Sequence, residues 1–156
     1  MDSKISVYQA FKNCAVKHPN DTALVYQFKK FTYSHVLDKI NRLAYGLKKL
    51  GYKEDDIITV SLPNVPMAVY LLYAINQIGA IANLIHPLMK NKQLKEIMLK
   101  TKSKVLFALD SNIDNFRDFA DLGISLYSVS PTSELNCIAK IVYKKSNKIS
   151  KLPKAE

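Results

Sequence analysis

The stretch Ile57–Met89, IITVSLPNVPMAVYLLYAINQIGAIANLIHPLM, decides how the fold is read, because it contains no Asp, Glu, Lys or Arg. It is longer than the roughly 20 apolar residues that cross a bilayer, so a membrane span and a buried core are the two readings to separate. Pro63, Asn64, Pro66, Asn76, Gln77, Gly79 and His86 cut it into pieces of strand and helix size, which favours the core. Ile57–Leu62 fits a strand buried on both faces and closed by Pro63. Pro66–Ile78 fits a helix apolar nearly all round and ended by Gly79, and Ala80–Ile85 a second buried strand closed by His86-Pro87.

Downstream, Gln93–Lys102 has the spacing of a basic amphipathic helix with Leu94, Ile97 and Met98 inward. Lys104–Leu109 reads as a third strand, Asn112–Leu122 as a helix and Ile124–Val129 as a fourth strand. Strands alternating with crossovers long enough for right-handed parallel units predict a doubly wound α/β layer, mainly parallel, with helices on both faces.

Upstream lies a helix–hairpin–helix lead-in. Ser6–His18 places Val7, Ala10, Phe11, Cys14 and Ala15 at helical spacing before Pro19. Thr22–Phe28 and Phe31–Tyr33 are β-rich runs, predicted to turn at Lys29-Lys30. A helix from N-cap Ser34 to Leu50 turns Val36, Leu37, Ile40, Leu43, Ala44, Leu47 and Leu50 inward and stops at Gly51. The expected division is a lead-in over 1–56, the parallel layer over 57–130 within a 1–134 domain portion, and a basic helix or linker over 135–156, with Leu135–Lys145 as its helix.

A chain of 156 residues with 48% hydrophobic residues has material for about one packed domain. Residues 1–30 lack the pattern of a signal peptide, and Cys14 and Cys137 lack any paired spacing, so a reducing cytoplasm is the expected location. The net charge is +10. Up to residue 137 there are 17 Lys+Arg against 12 Asp+Glu, and beyond it six lysines against Glu156, so half of the excess lies in residues 138–156. Those lysines read as a solvated linker, with weak attraction to anionic membranes as the alternative. Two arginines in the whole chain argue against specific nucleic-acid recognition.

Ligands of open α/β sheets bind beyond the carboxyl ends of the strands. Here those ends are Pro63-Asn64, His86-Pro87, Asp110-Ser111-Asn112 and Ser130-Pro131-Thr132. The four glycines, Gly46, Gly51, Gly79 and Gly123, are too scattered to cradle a phosphate. His86 reads as a strand-end histidine held by local hydrogen bonds, Cys14 as a thiol packed on an apolar helix face, and Glu54-Asp55-Asp56 as a solvated turn. Tyr70 and Tyr73 read as core. The residues alone define no catalytic, cofactor-binding or metal site.

Five elements stand in order: His18-Pro19-Asn20-Asp21-Thr22-Ala23-Leu24; Phe31-Thr32-Tyr33-Ser34; Asn41-Arg42-Leu43-Ala44-Tyr45-Gly46-Leu47 ending in Leu50-Gly51-Tyr52; Ile57–Leu62 with Pro63-Asn64; and Gly79-Ala80 followed by Pro87. Together they resemble the N-terminal portion of the AMP-forming adenylating enzymes, the superfamily of acyl-CoA synthetases, luciferases and peptide-synthetase adenylation domains. Asp55 and His86 depart from the family pattern, at turn positions, and residues 111–156 resemble it only loosely. The resemblance implies a parent activity in which a carboxylate attacks the α-phosphate of ATP and a thiol, often CoA, then takes the acyl group. It implies ATP, Mg²⁺ and CoA for the full-length enzyme. The family's phosphate loop, adenine and ribose motifs and C-terminal lysine match no position in this chain. The expectation is therefore a scaffold portion, inactive alone, whose partner is the remainder of the ligase or another copy. A non-catalytic binding module and a membrane-surface protein using its basic tail are the alternatives.

Overall fold

The structure, a computed structural model, describes residues 5–133. The segment Leu135–Lys145, Cys137 and the basic tail lie outside the described residues. The described chain forms two compact units. One runs to Asp56 and takes up Val69–Ile81; the other consists of Ile57–Ala68 and the residues from Ala82 onward.

In the first unit, helix α1 (Val7–Lys17) starts at Ser6, whose hydroxyl accepts from the Gln9 amide. The apolar stripe is not the one expected. Ala15 is buried and Phe11 half-buried, with the Phe11 ring 5.4 Å from Tyr33 and 4.8 Å from Tyr73. Val7, Ala10 and Cys14 face outward, so Cys14 is exposed rather than packed. Choosing the Tyr8–Phe11–Ala15 stripe brings the Phe11 ring into aromatic contact. It also lets the Tyr8 amide donate to Asn76 Oδ1 at 2.8 Å and the Tyr8 hydroxyl to Asn41 Oδ1 at 3.1 Å.

Strands β1 (Thr22–Tyr26) and β2 (Lys29–Thr32) pair antiparallel through Leu24↔Phe31, Val25↔Lys30 and Tyr26↔Lys29. The turn is Gln27-Phe28, not Lys29-Lys30. Both turn residues hold positive φ, +47° and +66°, as a two-residue turn matched to strand twist requires. The two lysines are strand residues because this register buries Phe31. Helix α2 (Tyr33–Lys49) is capped by Thr32, not Ser34: Thr32 Oγ1 accepts from the His35 amide. The amides of Tyr33 and Ser34 donate to the carbonyls of Asp21 and Pro19, which draws the helix start back by two residues. Val36, Ile40, Leu43, Ala44 and Leu47 are buried, as their spacing predicts. Helix α3 (Pro66–Gln77) ends in a Schellman motif: Gly79 donates to Asn76, and Ala80 to Ile75, with Gly79 at φ +79°.

The second unit holds β3 (Ile57–Ser61), β4 (Ile81–Leu84, entering at Ala82), α4 (Asn91–Thr101), β5 (Val105–Leu109), a 3-10 helix (Ile113–Leu122) and β6 (Ser125–Val129). The Asn112–Leu122 helix of the sequence reading is thus wound more tightly than an α-helix. The strands form one sheet in the order β4-β3-β5-β6. The β3–β5 pair is parallel, with Val60 opposite Phe107, and so is β5–β6, with Phe107 opposite Tyr127. Strand β5 is buried on both faces, as a continuous apolar run should be. Its Leu106 and Ala108 join Leu94, Met98, Ile113, Phe116, Phe119 and Ile124 in one apolar cluster. Strand β4, expected to be buried, is instead an edge strand, with Ile81 50% and Leu84 56% exposed. Period and hydropathy do not distinguish an apolar edge from an apolar centre; pairing order does.

Candidate functional site

The strand order marks one place for a ligand. The chain runs from β3 to β4 on one side and then to β5 on the other, so the sheet reverses direction between β3 and β5. In open α/β sheets the crevice beyond the carboxyl ends of two such strands is the binding position. Here it is bounded by Pro63-Asn64 after β3 and Asp110-Ser111-Asn112 after β5, with Ser130-Pro131-Thr132 following β6. All of these residues belong to the second unit.

The loops are held by short-range bonds. The amide of Asp110 donates to the Val129 carbonyl at 2.9 Å and joins the ends of β5 and β6. The Asn112 amide donates to Leu109, and the Val65 amide to Pro63 at 2.7 Å, closing each turn on itself. The hydroxyls of Ser130 and Thr132 are 2.9 Å apart and hydrogen-bonded. Asp110 is 1% exposed, and a carboxylate there disfavours a phosphate at the same place. The glycines whose amides would cradle one are elsewhere. His86 is exposed, and its Nδ1 accepts from the Leu88 amide at 3.2 Å. That bond leaves the proton of the neutral ring on Nε2 and makes His86 a structural residue of its turn, as its sequence position suggested.

The other candidates are likewise structural. Asp56 Oδ2 accepts from the Lys53 amide at 2.8 Å and the Asp55 amide donates to Gly79 at 3.1 Å, so Glu54-Asp55-Asp56 is a turn. Tyr70 is fully buried and Tyr73 half-buried beside Phe11. Burial raises the Tyr8 phenol above its ordinary value. Among the described residues no three His, Cys, Asp or Glu side chains come together to hold a metal ion. No helix among them is long and apolar enough to cross a membrane.

A polar network within the second unit escaped the sequence reading. Asn83 Nδ2 donates to Thr59 Oγ1 at 3.1 Å, Thr59 Oγ1 to Ser103 Oγ at 2.8 Å, and Ser103 Oγ to the Ile57 carbonyl at 2.9 Å. It ties β4, β3 and the entry to β5 at the core of the sheet, with Thr59 and Ser103 buried. Its partners are far apart in sequence; the available signals were polar residues, Thr59 and Asn83, inside mostly apolar strands. Ser103→Ala leaves the Thr59 hydroxyl without its acceptor, at an expected cost of about 1–3 kcal/mol. The Thr59→Val/Ser103→Ala double variant should lose less than the sum of the two single variants, as chemical denaturation would measure.

Sheet, strand order and crossovers define a doubly wound α/β protein. A family model described as AMP-binding enzyme matches residues 11–152, most of the chain, and the chain belongs to that family. It is 32% identical over 111 residues to acetyl-coenzyme A synthetase 1 of Debaryomyces hansenii, covering 67% of this chain and 16% of that protein. It is 27% identical over 114 residues to 4-coumarate–CoA ligase of Vanilla planifolia, covering 72% of this chain and 21% of the ligase. The fold is shared with VinN, solved with L-aspartate, at a TM-score of 0.74 and 24% identity over 80% of this chain and 35% of VinN. The chain therefore spans a minor part of the length of the relatives it matches.

Proposed function

We propose that this chain supplies the first α/β layer of an ATP-dependent acid–thiol ligase. In that enzyme a carboxylate oxygen attacks the α-phosphorus of ATP, the bond to pyrophosphate breaks, and a thiol such as CoA then displaces AMP from the acyl group. The observation that carries the reading is the family match over residues 11–152. The mainly parallel sheet, with its reversal between β3 and β5, supports it. Mg²⁺ would supply charge stabilisation at the phosphates. Among the described residues no three His, Cys, Asp or Glu side chains come together to hold it.

The role of the chain's own residues is architectural. The buried β3 and β5 and the Asn83–Thr59–Ser103 network hold the strand ends rigid, and rigid elements position reacting groups best. The loops beyond them lack glycine-lined phosphate donors, so the chain alone is assigned no catalysis. Its partner is the remainder of such a ligase, in a reducing cytoplasm.

Two measurements test this. The purified chain should give no carboxylate-dependent ATP–pyrophosphate exchange with acetate, benzoate or 4-coumarate. A hybrid of the D. hansenii synthetase, carrying residues 11–133 in place of its own matching segment, should keep acetate-dependent exchange. Exchange by the chain alone, or a folded hybrid without exchange, would sink the proposal.

A further inference from the structure

The sheet of the second unit ends on β4, and the edge it presents there is open. The Ile81 amide donates to the Asp56 carbonyl at 2.8 Å, and the Ile85 amide to the Val60 carbonyl at 3.0 Å. Equal spacing along both strands makes this a regular parallel ladder, in which alternate residues of β4 face β3. Ile81, Asn83 and Ile85 therefore face β3, and the N–H and C=O groups of Ala82 and Leu84 point to the open side. Among the described strands, none but β3 adjoins β4.

The side chains along this edge are apolar. Leu84 is 56% exposed, and Leu88, just beyond the strand, is 81% exposed. Edge strands ordinarily carry lysine, proline or a bulge, or lie under a cover, because bare backbone groups recruit other strands. No Asp, Glu, Lys or Arg occurs between Asp56 and Lys90, and Pro87 comes after the strand has ended. Only shortness protects β4. At the opposite end of the sheet, Ser128 and Val129 of β6 are fully enclosed.

We propose that the β4 edge receives a further β-strand from the remainder of the ligase, which bonds to Ala82 and Leu84 and covers Leu84 and Leu88. The inference rests on the ligase reading and names where the rest of the enzyme attaches. Unpaired backbone groups beside apolar side chains call for an extended, uncharged, apolar segment. A strand satisfies both features, whereas a helix would cover the leucines and leave the N–H and C=O groups unpaired. The chain spans 16% of the D. hansenii synthetase and 21% of the vanilla ligase, so most of such an enzyme is polypeptide from beyond these residues. A second copy is the poorer occupant, because each copy carries a net charge of +10 and the two repel.

The test is residue-resolved hydrogen exchange, read by mass spectrometry, on the full chain and on the D. hansenii hybrid carrying residues 11–133. In the full chain the amides of Ala82 and Leu84 should exchange faster than those of Asn83 and Ile85, which β3 holds. In the hybrid they should slow by about tenfold or more, the effect of gaining one backbone hydrogen bond. Ala82→Pro removes an outward N–H at a position that an edge strand tolerates. It should leave the thermal midpoint of the full chain nearly unchanged, yet cancel the slowing at Leu84 in the hybrid.

Fast exchange at both amides in a hybrid that keeps acetate-dependent pyrophosphate exchange overturns the proposal and leaves the ligase reading standing. A folded, inactive hybrid with both amides protected counts against the ligase reading and supports the pairing. Slow exchange in the full chain alone also overturns the proposal. If it depends on chain concentration, a second copy covers the edge; if it does not, the chain covers its own edge. Because the unsubstituted proteins carry these readouts, the test holds even if Ala82→Pro fails to fold.

Discussion

Phe119→Ala is expected to lower the unfolding free energy by about 3–5 kcal/mol, the usual cost of truncating a fully enclosed aromatic side chain. Phe119 is completely buried in the cluster formed by Leu94, Met98, Leu106, Ala108, Ile113, Phe116 and Ile124. Its ring centroid is 5.5 Å from that of Phe116 at an interplanar angle of 58°, a tilted pair that the alanine would also lose. The residue sits on the 3-10 helix, whose poorer hydrogen-bond geometry leaves the segment dependent on this packing. In urea the midpoint should fall with little change in slope if the native state stays compact. Phe119→Leu, which refills most of the space, should lose distinctly less. A loss below about 1 kcal/mol for the alanine would mean that the cluster collapses around the gap.

Gly79→Val should cost about 2–4 kcal/mol, from a backbone term and a packing term. Gly79 is the left-handed residue that ends α3, at φ +79°, and its carbonyl accepts from the Asp55 amide at 3.1 Å. A Cβ there would lie 3.1 Å from Glu54 Cγ and 3.2 Å from Glu54 Cβ. Gly79→Asn should lose the least of any substitution, because asparagine tolerates this conformation, and Gly79→Ala should fall between. Combining Gly79→Val with Glu54→Gly should recover the packing term alone. Full recovery in the double variant would show that φ carries no cost at this position.

Much of the architecture was legible because burial and period agree. The runs at Ile57–Leu62 and Lys104–Leu109 became the buried strands β3 and β5, and the stripe from Val36 to Leu47 became the buried face of α2. The errors fell where two local solutions were nearly equal. On α1, neighbouring stripes are each apolar enough to face inward, and the aromatic contacts of Phe11 with Tyr33 and Tyr73 select between them. Thr32 and Ser34 are both competent N-caps, and amide bonds from Tyr33 and Ser34 back to the loop at 19–21 select the earlier one. Lys29-Lys30 and Gln27-Phe28 could each turn the hairpin, and burying Phe31 selects the pair with the poorer turn residues. That outcome leaves Phe28 exposed to solvent.

The candidate site divides in the same way. Its components, the polar residues just beyond each strand, follow from the one-dimensional alternation of apolar runs with Pro, Asn, His, Asp and Ser. So does family membership, because the ordered elements from His18 to Pro87 are local strings of residues. Which strand ends adjoin is a matter of pairing. The reversal between β3 and β5, the edge position of β4 and the Asn83–Thr59–Ser103 network all depend on contacts between residues distant in the chain. Local hydropathy specifies that a segment is buried. It carries no information on which neighbour buries it, since hydrophobic attraction is non-directional and only packing and backbone pairing distinguish one partner from another.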